Sequence, residues 1–175
     1  MANTWQATTV AATFAANKHM LDVFNATAST RVIRIYRAYA FNNQIAAIVG
    51  VLNVFRVNIT GLSASAANVT PVTMDTSNSA RDANTTCGTG RTIGAIAATI
   101  RSLLQSPDEP VVSTLDWDAL ATLVPFAEVW NAGYGDTNIQ PVTCRPGENR
   151  GLSMQSITQA VGVNDYEIMF TDSAT

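Results

Sequence analysis

Few residues in this chain can do acid–base or metal chemistry. His19 is its single histidine, so the side chain that most often moves protons near neutral pH, or binds transition metals, occurs once. A cupin-type site needs several histidines on one metal, and that enzyme class is excluded. On a regular strand Lys18–Asn25, KHMLDVFN, His19 would share a face with Leu21 and Val23, which reads as a structural histidine. Carboxylates gather in one third of the chain, at Asp108, Glu109, Asp116, Asp118 and Glu128. A glycosidase needs two carboxylates at a set separation, and calcium needs several oxygen ligands. An extended Asp116-Trp117-Asp118 turns both carboxylates to one side. No further group is fixed against them by spacing, and solvated carboxylates beside turns are the plainer reading.

Nucleophiles fare no better. There is no G-x-S-x-G elbow, and Cys87 lies in a Gly/Thr stretch without a positioned base. Gly88-Thr89-Gly90 is too short for a phosphate loop, and no Lys-Ser/Thr pair follows it. Trp5, Trp117 and Trp130, with Tyr134, could form a sugar-stacking platform; more commonly each such ring anchors a core or a subunit contact. The expectation is therefore a protein that is not an enzyme, with no cofactor and no metal.

The elements that would position these residues read as strands. Arg31–Phe41 and Val51–Thr60 are long, with a polar turn at Asn42-Asn43-Gln44 between them. In the first, Ile33, Ile35, Tyr39 and Phe41 would share a face with Arg37, and Val32, Tyr36, Ala38 and Ala40 the other with Arg34; apolar residues on both sides suggest a central strand. In the second, Val51, Phe55, Val57 and Ile59 line one face. Lys18–Asn25 and the Arg31 strand, joined by the polar NATAST, are expected to form a hairpin. Asn68–Met74 carries Pro71, which suits an edge. Asp75–Gly90 reads as one long loop, functional or mobile. Thr92–Gln105 fits both a helix and a strand and is read as a strand. Thr114–Leu123 is expected to hold a helical turn. Glu128–Ala132 and Thr137–Cys144 read as short strands around the turn Gly133–Asp136. Arg145–Asn149 is a turn. Asp165–Thr171 alternates cleanly, with Tyr166, Ile168 and Phe170 inward.

Eight or more short strands without βαβ alternation predict an all-β fold, an antiparallel jelly-roll-like sandwich or barrel with little helix. Residues 1–17 are expected to form an N-terminal arm or edge strand, with Thr8, Val10, Ala12 and Phe14 on one face, and residues 18–175 a single sandwich domain. For 175 residues one domain is the natural size.

Composition narrows the partners. Charged residues make up only 13% of the chain against 47% hydrophobic, below the roughly 25% charge of an ordinary soluble domain. Such a surface suits packing against neighbours. A net charge of −3 with scattered basic residues argues against nucleic acid. No apolar run reaches the roughly 18 residues that span a bilayer, so no membrane is expected. MANTWQATTV has neither the basic start nor the apolar core of a secretory signal. Cys87 and Cys144 are then expected as free thiols, and the sequons at Asn25, Asn58, Asn68 and Asn84 as chance in an Asn/Thr-rich chain.

Two stretches carry a resemblance. KHMLDVFNATASTRVIRIYRAYAFNNQIAAIVGVL, residues 18–52, and VWNAGYGDTNIQPVTCRPGENRGL, residues 129–152, resemble a group of tailed-phage virion proteins. The shared pattern is a strand ending in F-N, an R-V-x-R-I/V strand, an N-N-Q turn, V-x-G-V-L, and later G-Y-G-D-T-N before an R-x-G-E turn. Cys144 and Asn149 depart from it. The resemblance implies a jelly roll in the virion, made in the host cytoplasm: a capsid decoration or cement protein that binds the major capsid protein from outside. It implies a homo-oligomer, a trimer first, and a shell stabilised against packed DNA. Its contact residues would include Trp5, Val10, Phe14, Trp117, Trp130 and Tyr134. A head fibre, a tail or receptor-binding jelly roll, or a carbohydrate-binding module are the other readings left open.

Overall fold

In the computed structural model the described residues are 2–13, 15–42, 50–58, 67–92, 96–105, 126–132, 140–156 and 163–174. Of 42, 50–58, 96–97, 101, 103–105, 126–129 and 163 only the backbone is described. Every regular element among them is a strand: β1 Asn3–Thr13, β2 Lys18–Asn25, β3 Arg31–Asn42, β4 Gly50–Asn58, β5 Ala67–Val69, β6 Val72–Thr73, β7 Thr85–Thr89, β8 Ile96–Gln105, β9 Phe126–Asn131, β10 Val142–Cys144, β11 Arg150–Ser156 and β12 Val163–Ala174.

Two antiparallel sheets of six strands result. In sheet A, β3 carries β10 and β9 on one side and is followed by β12, β1 and β6; sheet B runs β5-β7-β2-β11-β4-β8. The pairs β1:β12, β2:β11, β3:β9/β10 and β4:β8 form one long ribbon whose successive pairs alternate between the sheets. Winding is closed by β12 against β3 and β11 against β4. This is the strand order of a jelly roll, and the all-β sandwich expected from the pattern is the fold observed. The insert β5–β7 adds short strands at one edge of both sheets. Asn3–Thr13 lies inside sheet A, paired with β12 through Thr13.

The core is the space between the sheets. Trp5 and Ala7, Ile33, Ile35, Ala38 and Ala40, and Tyr166, Ile168 and Phe170 meet Leu21, Val23, Leu152 and Met154. The alternation of β12 is as the sequence predicts: Tyr166, Ile168 and Phe170 are fully buried.

Several local expectations fail because pairing is not local. β2 and β3 are not a hairpin; NATAST carries the chain from sheet B to sheet A. The faces of β3 are not those of a straight strand either. Arg37 pairs with Met169 and Ile35 with Phe170, leaving Tyr36 as the extra residue of a bulge. The bulge shifts the inward set from Ile33 and Ile35 to Ala38 and Ala40 and turns Tyr39 and Phe41 to the other face. Asn68–Met74 is two strands, β5 on sheet B and β6 on sheet A, with the buried Pro71 between them. Asp75–Gly90 is not one loop, since β7 fills its last third. Its first part is pinned by Asp82, which accepts hydrogen bonds from the Ser29 hydroxyl and the Thr30 and Asn84 amides. Burial acts to raise Asp82, but those bonds outweigh it and hold the carboxyl below its usual range.

The strand readings of Thr92–Gln105, Glu128–Ala132 and Thr137–Cys144 are met in part: β8 starts at Ile96, β9 runs Phe126–Asn131, and β10 is only Val142–Cys144, with 93–95 and 137–139 outside the described residues. At Arg145–Asn149 the Arg145 amide donates to the Glu148 carboxylate and the Glu148 amide to the Arg145 carbonyl, with Gly147 at φ 76° and Asn149 at φ 56°. The expected helical turn Thr114–Leu123 and the turn Gly133–Asp136 lie outside the described residues.

Candidate functional site

A buried group of ionisable side chains forms on the face of sheet B turned away from the core. In β2, Met154 pairs with Leu21 and Gln155 with His19, so Met20 is a bulge residue. That extra residue moves His19 off the face of Leu21 and Val23, where a straight strand would place it, and onto the face of Asp22 and Phe24. The correction has a visible result: His19 Nδ1 lies 2.9 Å from Asp22 Oδ2, both side chains fully buried. Arg91, just past β7, brings Nε to 3.1 Å from the same oxygen. Its guanidinium sits 5.6 Å above the Phe24 ring, and the His19 ring lies parallel to Phe24 at 6.3 Å. Backbone bonds lock the arrangement, with the His19 amide donating to the Arg91 carbonyl and the Gly90 amide to the His19 carbonyl.

Burial pushes the Asp22 carboxyl above its usual range, against the pull of the His19 bond, the Arg91 charge and the Gly88 amide. On β11, Gly151 pairs with Phe24 and Ser153 with Asp22. A β-carbon at Gly151 would stand 2.3 Å from the Val23 carbonyl oxygen and 2.9 Å from the ring; the missing side chain is the seat of Phe24. His19 and Asp22 are fully buried, and the Arg91 side chain is 11% exposed. It is a packed ionic cluster that ties β2 to the chain after β7.

Other candidates take ordinary structural places. Cys87 and Cys144 are buried and not in a disulfide; burial pushes the Cys87 thiol up to about 12. Asn25, one of the sequon residues, is buried and donates its amide to the carbonyls of Arg31 and Cys144, joining sheet B to sheet A. Among the described residues no three His, Cys, Asp or Glu side chains converge as a metal site. Asp108, Glu109, Asp116 and Asp118 lie outside the described residues, and Glu128 is described in its backbone only.

Of the six residues singled out for contact, three are described, and these three differ in exposure. Trp5 is buried in the core, and Trp130 is half-buried and packed against it. Val10 is 77% exposed at the bulge of β1. Phe14, Trp117 and Tyr134 lie outside the described residues. Two further apolar residues that sequence reading passed over, Val72 and Met74, are also exposed, at 65% and 49%. Pro71 was the available signal, since it marked this segment as an edge.

No family model matches the chain, and no curated protein matches it. A solved structure of a marine algae virus of the order Picornavirales aligns at 12% identity over 100% of this chain and 69% of that chain, with a TM-score of 0.26. At that score the alignment carries no argument.

Proposed function

We propose that this chain is a non-enzymatic structural component of a virion, a decoration protein that docks on the outside of a tailed-phage shell and braces it against packed DNA. The jelly roll hosts many functions and selects none of them. What carries the reading is where the two resembling stretches fall. Residues 18–52 span β2, β3 and the start of β4, and residues 129–152 span the end of β9, β10 and the start of β11. They are far apart in the chain, yet β2 lies against β11 and β3 against β9 and β10. The resemblance therefore follows one continuous part of the wound ribbon, as a shared fold requires.

Chemistry supports the same reading. His19 and Asp22 are fully buried, and the exposed large apolar side chains among the described residues, Val10, Val72 and Met74, lie on β1, on β6 and just past β6. A surface of low charge packs against symmetric copies without unpaired charges, and many copies on one shell multiply a modest contact by avidity. The partner is the major capsid protein, with the trimer resting on the resemblance alone.

Co-sedimentation with undecorated shells tests the proposal, alongside electron microscopy of purified particles. Density on the outer shell surface and saturable binding are expected. A chain absent from particles, or located on a fibre or tail, replaces decoration with another role. Retention on a glycan array replaces it with carbohydrate binding.

A further inference from the structure

A carboxyl group stands where β12 should bury an apolar side chain. Asp172 continues the inward face of Tyr166, Ile168 and Phe170, pairs with Asn3 of β1 and Ile33 of β3, and is fully buried. Neither of its oxygens is in full hydrogen-bond geometry with a donor, although the Asp82 amide is turned toward it. A carboxyl held in that way is costly to ionise. The charged groups that face it among the described residues are Arg31 of β3, and Arg81 and Asp82 of the segment after β6. β1, its neighbour on the other side, has no ionisable side chain.

Residues 75–84, between β6 and β7, are fastened on both sides of this carboxyl. On the β1 side, Asn3, the residue paired with Asp172, donates its amide to the Ser79 hydroxyl at 2.9 Å. On the β3 side, the Asp82 carboxylate accepts from the Ser29 hydroxyl at 3.0 Å and the Thr30 amide at 3.2 Å, next to Arg31, which pairs with Ala174. Two carboxyls therefore share one seat, and their surroundings drive them in opposite directions. Burial pushes Asp172 above its usual range, against the pull of the Arg31 charge and the Asp82 amide, and the Asp82 carboxylate adds to the rise. Asp82 is held below its usual range by the bonds it accepts, which outweigh its own burial. Asp75, exposed at the start of the segment, is held low by the Ser77 amide and hydroxyl.

We propose that residues 75–84 form a proton-controlled strap at this end of the sandwich, held shut while Asp172 is neutral and loosened when Asp172 ionises beside the Asp82 carboxylate. Opening the strap returns both carboxyls to water and to the ordinary 3.8. The raised Asp172 contributes hold that is complete below 3.8 and is lost as pH rises through its folded value. The lowered Asp82 contributes hold that is present above 3.8 and is lost as pH falls through its own folded value. The strap is therefore held best between the two folded values. It leads out of β6, whose described pairing with β1 is Trp5 with Thr73 and Gln6 with Val72, so loosening it also loosens that edge of sheet A. The device does not depend on the shell reading, and either can fail alone.

Hydrogen exchange of the full chain, followed by mass spectrometry over a pH series and corrected for the intrinsic exchange rate, tests it. Peptides spanning 75–84 are expected to lose protection as pH rises above 3.8, while peptides of β2 and β12 keep theirs. In Asp172→Asn, which keeps the shape and removes the charge, that loss should vanish and the strap should stay protected at the alkaline end. Near-UV circular dichroism checks that the variant folds. Carbon-13 titration of the carboxyl groups in the parent chain gives a second reading that needs no variant: Asp172 should titrate above 3.8, with the midpoint at which the strap opens. Strap protection that does not change with pH, a folded Asp172→Asn chain as pH-dependent as the parent, β2 and β12 opening together with the strap, or an Asp172 midpoint apart from that of the opening overturns the proposal.

Discussion

Replacing Arg91 by methionine tests the buried cluster most directly. Methionine keeps an unbranched stem over Phe24 but removes the guanidinium in contact with Asp22. The Arg91 side chain is 11% exposed and that of Asp22 fully buried, so the lost attraction is not replaced by water. Removing one partner of a buried pair costs about 3–5 kcal/mol; the retained 2.9 Å bond from His19 sets the expectation at the lower end, about 3 kcal/mol. For a chain of this size that is a fall in Tm of roughly 6–12 °C. The loss should depend on pH, and its sign follows from Asp22. Its folded-state pKa lies above the ordinary 3.8, so the folded protein holds a proton that the unfolded chain releases. The stability from that proton is complete below 3.8 and is lost as pH rises through the folded value. Without Arg91 the folded value climbs further and the loss deepens. The gap between the variant and the parent chain should therefore be narrow near the ordinary 3.8 and widen as pH rises above it. Urea unfolding across that range measures it. A gap that is the same at both ends, or a cost below about 0.5 kcal/mol at the alkaline end, would refute the assigned cluster.

Three more expectations follow from the packing. Gly151→Ala forces a β-carbon against the Val23 carbonyl and the Phe24 ring, and should cost about 3 kcal/mol in chemical denaturation; an unchanged midpoint would mean that Phe24 has room to leave its seat. Asn25→Ala removes the amide that bonds the Arg31 and Cys144 carbonyls and should cost about 1–3 kcal/mol, read by thermal melting. With Cys87 buried and its thiol pushed up to about 12, a disulfide-exchange reagent should find no fast-reacting Cys87 in the native protein at mildly alkaline pH, and reaction should appear only on unfolding; rapid native labelling of Cys87 would contradict its burial.

Properties set by neighbours in sequence were readable from the chain alone. The period-two pattern of Tyr166, Ile168 and Phe170 fixed both the strand and its inward face, because alternation needs no knowledge of the partner strand. The Arg145–Asn149 turn announced itself through Pro146 and Gly147 for the same reason. The low charge and the single histidine set the limits on chemistry. Bulges and partner choice belonged to the tertiary structure. One extra residue at Met20 and another at Tyr36, each defined only by the register of the strand alongside, reversed the faces of His19, Tyr39 and Phe41. Asp22 and Arg91 became partners because β7 packs against β2, across a separation that no local pattern encodes. Winding the ribbon buries a face on each sheet, and that long-range burial chose the pairing and placed the ionic cluster.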